Sequence, residues 1–310
     1  MSEQTVNAAP RSPTPRGPLR GVFAAALTPL TADGDQLDAH AVAELIDFYR
    51  RAGVDGVFVG GTTGESLMLS PEEREQLTEQ VVSAGSGLKI AVNAGAQTTA
   101  ETMRLAGHAA ATGVDAVAVA PPPFFGFDEM SLLRHFEAAA SACAPVPFYL
   151  YEIRQRTGYS IPISVVQSLA DRVPQFVGMK VSDPTLEELE RYLVPGLEIM
   201  VGAESLVLDG VERGAVGAVS GLAGALPRHV VDALGQQRGV RQFSLGTLRA
   251  GLERFPFHAA GKLTLIAQQV RIEPSVRAPL RPLTADERTE LEDWLAGGVL
   301  DAALGSSPVD

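Results

Sequence analysis

Ala52-Gly-Val-Asp-Gly-Val-Phe-Val59 returns in altered form as Thr112-Gly-Val-Asp-Ala-Val-Ala-Val119, and Arg213-Gly-Ala-Val-Gly-Ala-Val219 is a weaker third copy. Each copy is the end of a helical pattern, a glycine that stops it, and a β-branched run suited to a strand. Working outward from these copies, short apolar runs fall at 21–27, 56–60, 88–93, 116–120, 146–151, 176–181, 198–202 and 215–220. Amphipathic stretches separate them, near 38–52, 71–85, 98–112, 128–143, 162–172, 184–193, 203–213 and 224–236. The strand runs are apolar throughout instead of alternating, which predicts parallel strands covered on both faces. Eight strand–helix units predict an α/β protein closed as a (β/α)₈ barrel. An open doubly wound sheet is the alternative, and it is disfavoured because no Gly-x-Gly-x-x-Gly follows the first run.

Capping chemistry agrees with these boundaries. Ser70-Pro71-Glu72-Glu73 offers an N-cap, a proline at the first helical position and acids in the first turn. Residues 1–20 hold four Pro and three Arg with no apolar core, and predict a disordered N-terminal tail instead of a signal peptide. Residues 21–237 form the predicted barrel. Residues 238–310, with helical patterns at 239–254, 257–269 and 284–296, are predicted to be a C-terminal helical extension.

Composition sets limits on function. The 310 residues suit one barrel of roughly 250 residues plus an appendage. A net charge of −12 argues against nucleic acid or an anionic membrane as partner, though a small anionic substrate needs only a local positive site. Cys143 is the single cysteine, so neither an intrachain disulfide nor a cysteine metal cluster is possible. The five histidines show no metal-ligand spacing, no apolar run reaches membrane-spanning length, and a cytoplasmic location is expected.

Phe176-Val-Gly-Met-Lys-Val-Ser-Asp183 is the strand run with chemistry in it. The chain has three lysines, Lys89, Lys180 and Lys262, against twenty-two arginines, so a lysine inside an apolar strand stands out. An amine held among apolar groups loses solvation and gives up its proton more readily, as a Schiff-base lysine must. Strand alternation puts Lys180 on one face with Gly178, which leaves it room, and Val177, Met179 and Val181 on the other. A strand-end lysine paired with Asp183 is the equal alternative from this stretch.

Active sites of such barrels lie at the C-terminal ends of the strands. After the second run comes Gly60-Gly-Thr-Thr-Gly-Glu-Ser66, where backbone N–H groups and the Thr62 and Thr63 hydroxyls could converge on an anion. A plain glycine turn is the simpler account. After the fifth run, Tyr151 is a phenol placed to move protons beside an imine, and Arg156 a planar fork for a carboxylate. A core tyrosine and a surface arginine are the commoner occurrences. Glu152, Arg154 and Gln155 read as loop surface. Ser66, Ser182 and Ser220 have no His/Asp partner visible in sequence, so no serine-hydrolase triad is indicated.

Taken in order and at these separations, Gly60–Ser66, Tyr151…Arg156-Thr-Gly158 and Val177-Gly-Met-Lys180 resemble the dihydrodipicolinate synthase / N-acetylneuraminate lyase family, from about residue 21 to about residue 295. The resemblance implies a TIM barrel with a C-terminal helical extension, usually a homotetramer, with a homodimer the smaller expectation. It implies class I aldolase chemistry on pyruvate or another 2-oxo acid plus an aldehyde, with no metal or organic cofactor. Lys180 matches the Schiff-base lysine, Tyr151 the proton-moving tyrosine, Thr62 and Thr63 the pair that binds the pyruvate carboxylate and joins the relay. Arg156 matches an arginine that meets the second substrate's carboxylate in the synthase branch, and Gly61 and Ser220 are further expected substrate contacts. The chain departs from that branch at Ala120-Pro-Pro-Pro-Phe-Phe-Gly126, where Pro123 stands at about the place of a second relay tyrosine, and at Val201-Gly-Ala-Glu204. A pyruvate-dependent aldolase or lyase, such as a 2-keto-3-deoxy sugar acid lyase, is therefore expected. A 4-hydroxy-tetrahydrodipicolinate synthase and a dehydratase or hydratase-aldolase are the alternatives, and a non-catalytic barrel binding a small acid is the rival from another class.

Overall fold

The structure is a computed structural model that describes residues 17–85, 87–235 and 244–300. Its centre is a closed parallel barrel in the order β1 to β8. The strands are β1 (Gly21–Ala25), β2 (Gly56–Val59), β3 (Lys89–Asn93), β4 (Ala116–Val119), β5 (Phe148–Glu152), β6 (Phe176–Val181), β7 (Glu198–Val201) and β8 (Gly217–Ser220). β1 pairs with both β2 and β8, which closes the ring. The helices that wrap it are α1 (Ala39–Ala52), α2 (Pro71–Ala84), α3 (Thr99–Thr112), α4 (Glu129–Cys143), the short α5 (Arg154–Thr157), α6 (Ile163–Arg172), α7 (Leu186–Glu190), α8 (Val207–Glu212), α9 (Gly221–Ala225) and α10 (Pro227–Gly235). The extension adds α11 (Leu245–Glu253), α12 (Phe257–Ala267) and α13 (Ala285–Trp294).

The recurring stretch works as read. Gly53 and Gly113 end α1 and α3 at φ of 83° and 91°, a region open to glycine and strained for other residues, and β2 and β4 follow directly. Ser70 and Glu73 close a reciprocal capping box on α2. Strand alternation splits the core in two. Phe23, Phe58, Tyr149 and Met200 point into the barrel, while Val57, Val59, Met179 and Val181 pack outward against the helices. No helix among the described residues is long and apolar enough to cross a membrane.

Three sequence expectations change here. Val177 faces the barrel interior, because the β5–β6 register slips between Phe148↔Phe176 and Tyr149↔Gly178, and this bulge breaks the simple alternation. Residues 17–20, assigned to the tail, are packed: Leu19 is buried in the interior cluster and Arg20 pairs with Glu198 at the foot of the barrel. Residues 1–16 of that tail lie outside the described residues, as does the expected junction at 237–238. Glu152, read as loop surface, is the last residue of β5 and is wholly buried. β5 runs one residue further than the sequence pattern showed, and alternation turns this carboxyl to the outer face. There it accepts from the Ile161 N–H at 2.6 Å and the Tyr192 hydroxyl at 3.1 Å.

Candidate active site

The C-terminal ends of β5 and β6 put Tyr151 and Lys180 opposite each other in register. Neighbouring parallel strands present opposed residues to the same face, so both side chains enter the barrel mouth. Lys180 is 6% exposed. Its Nζ stands 3.9 Å from the centroid of the Tyr151 ring and 4.7 Å from that of Phe58, and the two rings meet edge to face. The amine is thus walled by aromatic carbon yet opens on a cavity of about 570 Å³. Asp183, the alternative partner, is buried and neither carboxylate oxygen bonds to Lys180, so it does not hold the amine. The room beside Lys180 comes from Gly202, not from Gly178. A Cβ at Gly202 would stand 3.2 Å from Lys180 Cε, whereas one at Gly178 would strike the Glu198 carbonyl.

Burial alone would not have singled out Lys180, because Lys262 is more buried still. Lys262 Nζ is, however, spent on Glu65 at 2.7 Å and on the Ser275 carbonyl at 2.6 Å, and it does not line the cavity.

The turn after β2 brings the hydroxyls. Thr62 Oγ1 lies 3.3 Å from Tyr151 Oη. The N–H groups of Gly64, Glu65 and Ser66 bond back to carbonyls of the same turn, which leaves the Thr62–Thr63 step as the part that faces the cavity. Gly61 sits behind that step, buried, and its carbonyl receives Gly64 and Ser66. Arg156, on α5, is exposed, reaches the cavity wall and has no ion-pair partner among the described residues. Ser220 is placed otherwise than expected: it is fully buried, donates to Glu204 Oε1 at 2.8 Å and caps α9 by accepting from the Ala223 N–H. Both of its hydroxyl roles are filled, and it offers no surface to a substrate.

A second cavity of about 300 Å³ shares Thr62, Tyr151, Ile153, Arg156 and His258 with the first. Its other walls are mostly apolar, from Leu67, Met68, Pro121, Pro123 and Leu280. Pro123 presents no hydroxyl, and its carbonyl accepts from Gln97 Nε2. Beyond it Phe124 and Phe125 project outward, 87% and 58% exposed.

Several lining residues have contacts that the sequence reading did not give them. Glu204, side chain 5% exposed, accepts from Ser220 and from the Leu222 N–H and lies 3.7 Å from Arg249. Arg249 of α11 stacks on Phe257 at 4.0 Å and pairs with Glu253, and His258 of α12 reaches the Thr62 carbonyl. A helical pattern does not say which face will cover a barrel mouth, so nothing in α11 or α12 marked these side chains in advance.

The model of the dihydrodipicolinate synthetase family matches residues 18–297. The chain belongs to that family. Within it, the chain is 33% identical over 298 residues to an uncharacterized DapA-like lyase of Halobacterium salinarum, covering 93% of this chain and 96% of the other. It is also 33% identical over 205 residues to the N-acetylneuraminate lyase of Rhizobium meliloti, 65% of this chain and 67% of that one. Among solved family structures it resembles YagE, a prophage protein of E. coli K12 crystallised with pyruvate, at 26% identity and a TM-score of 0.82, with 90% of this chain and 98% of that one covered. Proteus mirabilis N-acetylneuraminate lyase gives 28% identity, the same TM-score and the same coverage.

Proposed function

We propose that the protein is a Schiff-base-forming, pyruvate-dependent aldolase or lyase that makes or breaks a carbon–carbon bond between a 2-oxo acid and an aldehyde. One observation carries the reading: an aromatic-walled amine stands against the ring of Tyr151, whose hydroxyl is 3.3 Å from Thr62 Oγ1 at the mouth of the barrel. Family membership supports it, since the named relatives are lyases and YagE was solved with pyruvate.

In this mechanism Lys180, in its neutral form, attacks the ketone carbon of the 2-oxo acid; the carbinolamine oxygen takes up one proton from the amine and one from solvent and leaves as water, giving an iminium. The Thr62–Thr63 step holds the carboxylate. In the cleavage direction Tyr151, in relay with Thr62, takes the proton from the C4 hydroxyl. The C3–C4 bond then breaks, its electron pair passes into the iminium as an enamine, and the aldehyde departs. Reprotonation at C3 and hydrolysis free pyruvate and return the amine. Arg156, without an ion-pair partner among the described residues and at the junction of the two cavities, meets an acidic group on the second substrate.

The synthase reading is favoured by Arg156 but lacks a hydroxyl at Pro123, so we rank it second. Cleavage of a panel of 2-keto-3-deoxy sugar acids, read as pyruvate released, tests the proposal. Turnover that disappears in Lys180→Ala is the expected result; turnover that persists in that variant overturns it.

A further inference from the structure

The turn that carries Thr62 and Thr63 is gripped from above by a helix that the barrel does not need for closure. α12 places His258 and Lys262 four residues apart, on one face of the helix. His258 Nε2 stands 3.0 Å from the Thr62 carbonyl. A carbonyl only accepts, so Nε2 carries the proton and donates. One turn further along, Lys262 Nζ meets Glu65 Oε1 at 2.7 Å, with both side chains fully buried. The other Glu65 oxygen accepts from the Arg277 N–H at 2.7 Å. Glu65 holds a left-handed backbone at φ of 58°, uncommon outside glycine, and its carboxylate is held from two sides. Gly261, between the two α12 residues, lets the helix approach: a Cβ there would come within 2.9 Å of Leu27.

We infer that His258 and Lys262 are positioning residues, a two-point clasp by which the C-terminal extension fixes the Thr62–Thr63 step against Tyr151 and Lys180. The inference rests on the Schiff-base reading for its effect on catalysis, though not for the clasp itself. His258 fixes the carbonyl of the residue whose hydroxyl reaches the phenol. Lys262, through Glu65, fixes the far end of the same turn. Release of either point lets the carboxylate grip drift while the amine, on β6, stays where it is.

The test uses the full chain with three variants. His258→Phe removes the donor. His258→Gln restores one, since its amide nitrogen reaches about where Nε2 stood. Glu65→Gln with Lys262→Met removes the buried charges together, so that neither is stranded. In His258→Phe the pyruvate concentration that half-saturates reductive trapping should rise about ten- to a hundredfold, as expected for a displaced binding group, and His258→Gln should recover most of it. Amide hydrogen exchange at residues 61–66 should quicken in His258→Phe and in the double variant while the strands keep their protection. Exchange at 61–66 that stays at the wild-type level in both overturns the clasp, as does a loss in His258→Phe that His258→Gln fails to recover. A wild-type chain that traps no 2-oxo acid removes the aldolase reading instead, and the exchange measurement then decides the clasp alone.

Discussion

Tyr151 has two separable jobs in this site. Its ring walls the Lys180 amine and packs edge to face on Phe58, and its hydroxyl meets Thr62. Tyr151→Phe keeps the wall and deletes the hydroxyl of the proposed relay. Reductive trapping of pyruvate should survive in that variant, while steady-state turnover should fall about 10²- to 10⁴-fold, the usual worth of a positioned acid–base group. Glu152, the next residue, faces the other way. Burial is the main force raising its carboxyl, from 4.5 to about 7, and the neighbouring Asp183 adds to it. The folded state therefore binds a proton that the unfolded chain has already released above about pH 4.5. The stability contributed by this group is present below that pH and is lost as pH rises through about 7. Glu152→Gln keeps an acceptor for Ile161 and Tyr192 without titrating. Its melting curve should change less with pH between about 5 and 8, and it should exceed wild type at the alkaline end by up to about 3 kcal/mol. A parallel shift of both proteins with pH would contradict the assignment. At this scale the candidacy of Lys180, Tyr151 and the threonine pair, which meet at one cavity, was legible because each departs from its surroundings: a lysine in an arginine-using chain, a phenol at a strand end, hydroxyls in a glycine turn. Ser220 was misread because the sequence does not show that Glu204 and the α9 N-terminus would occupy its hydroxyl.

Among the elements, two glycines next to Lys180 in the fold distinguish support from chemistry. A Cβ at Gly178 would lie 1.9 Å from the Glu198 carbonyl, which is backbone and cannot move aside. Gly178→Ala should destabilise the barrel by about 3 kcal/mol or more, measured by denaturant unfolding. A Cβ at Gly202 would meet Ser182 Oγ at 1.9 Å, which can rotate away, Ser182 Cβ at 2.9 Å, which must give by a few tenths of an ångström, and Lys180 Cε at 3.2 Å. Gly202→Ala should therefore be destabilised less than Gly178→Ala and lose pyruvate affinity, seen as a raised half-saturating concentration. The strand and helix boundaries were legible to within a few residues, because period, caps and glycine stops all point the same way. The β5–β6 bulge was not, since it depends on how two strands pair, and it sent Val177 inward and moved the space-making role from Gly178 to Gly202.

For the whole molecule, the closed barrel followed from counting eight strand–helix units, and the structure closes them in order. The extension was legible as helices but not as part of the site. Reading it as an appendage missed Arg249, Phe257 and His258, which cover the cavity. The family resemblance implies a homotetramer or a homodimer. The projecting Phe124 and Phe125 offer apolar surface for such contacts. Light scattering should give a mass of two or four chains, and Phe124→Ser with Phe125→Ser should shift it downward; a single-chain mass at every concentration tested would rule the assembly out. The central claim is tested most directly by borohydride reduction in the presence of pyruvate, followed by peptide mass mapping. The account predicts one reduced pyruvyl adduct, on Lys180, that vanishes in Lys180→Ala. An adduct on Lys262 or Lys89, or one that persists without Lys180, would contradict it.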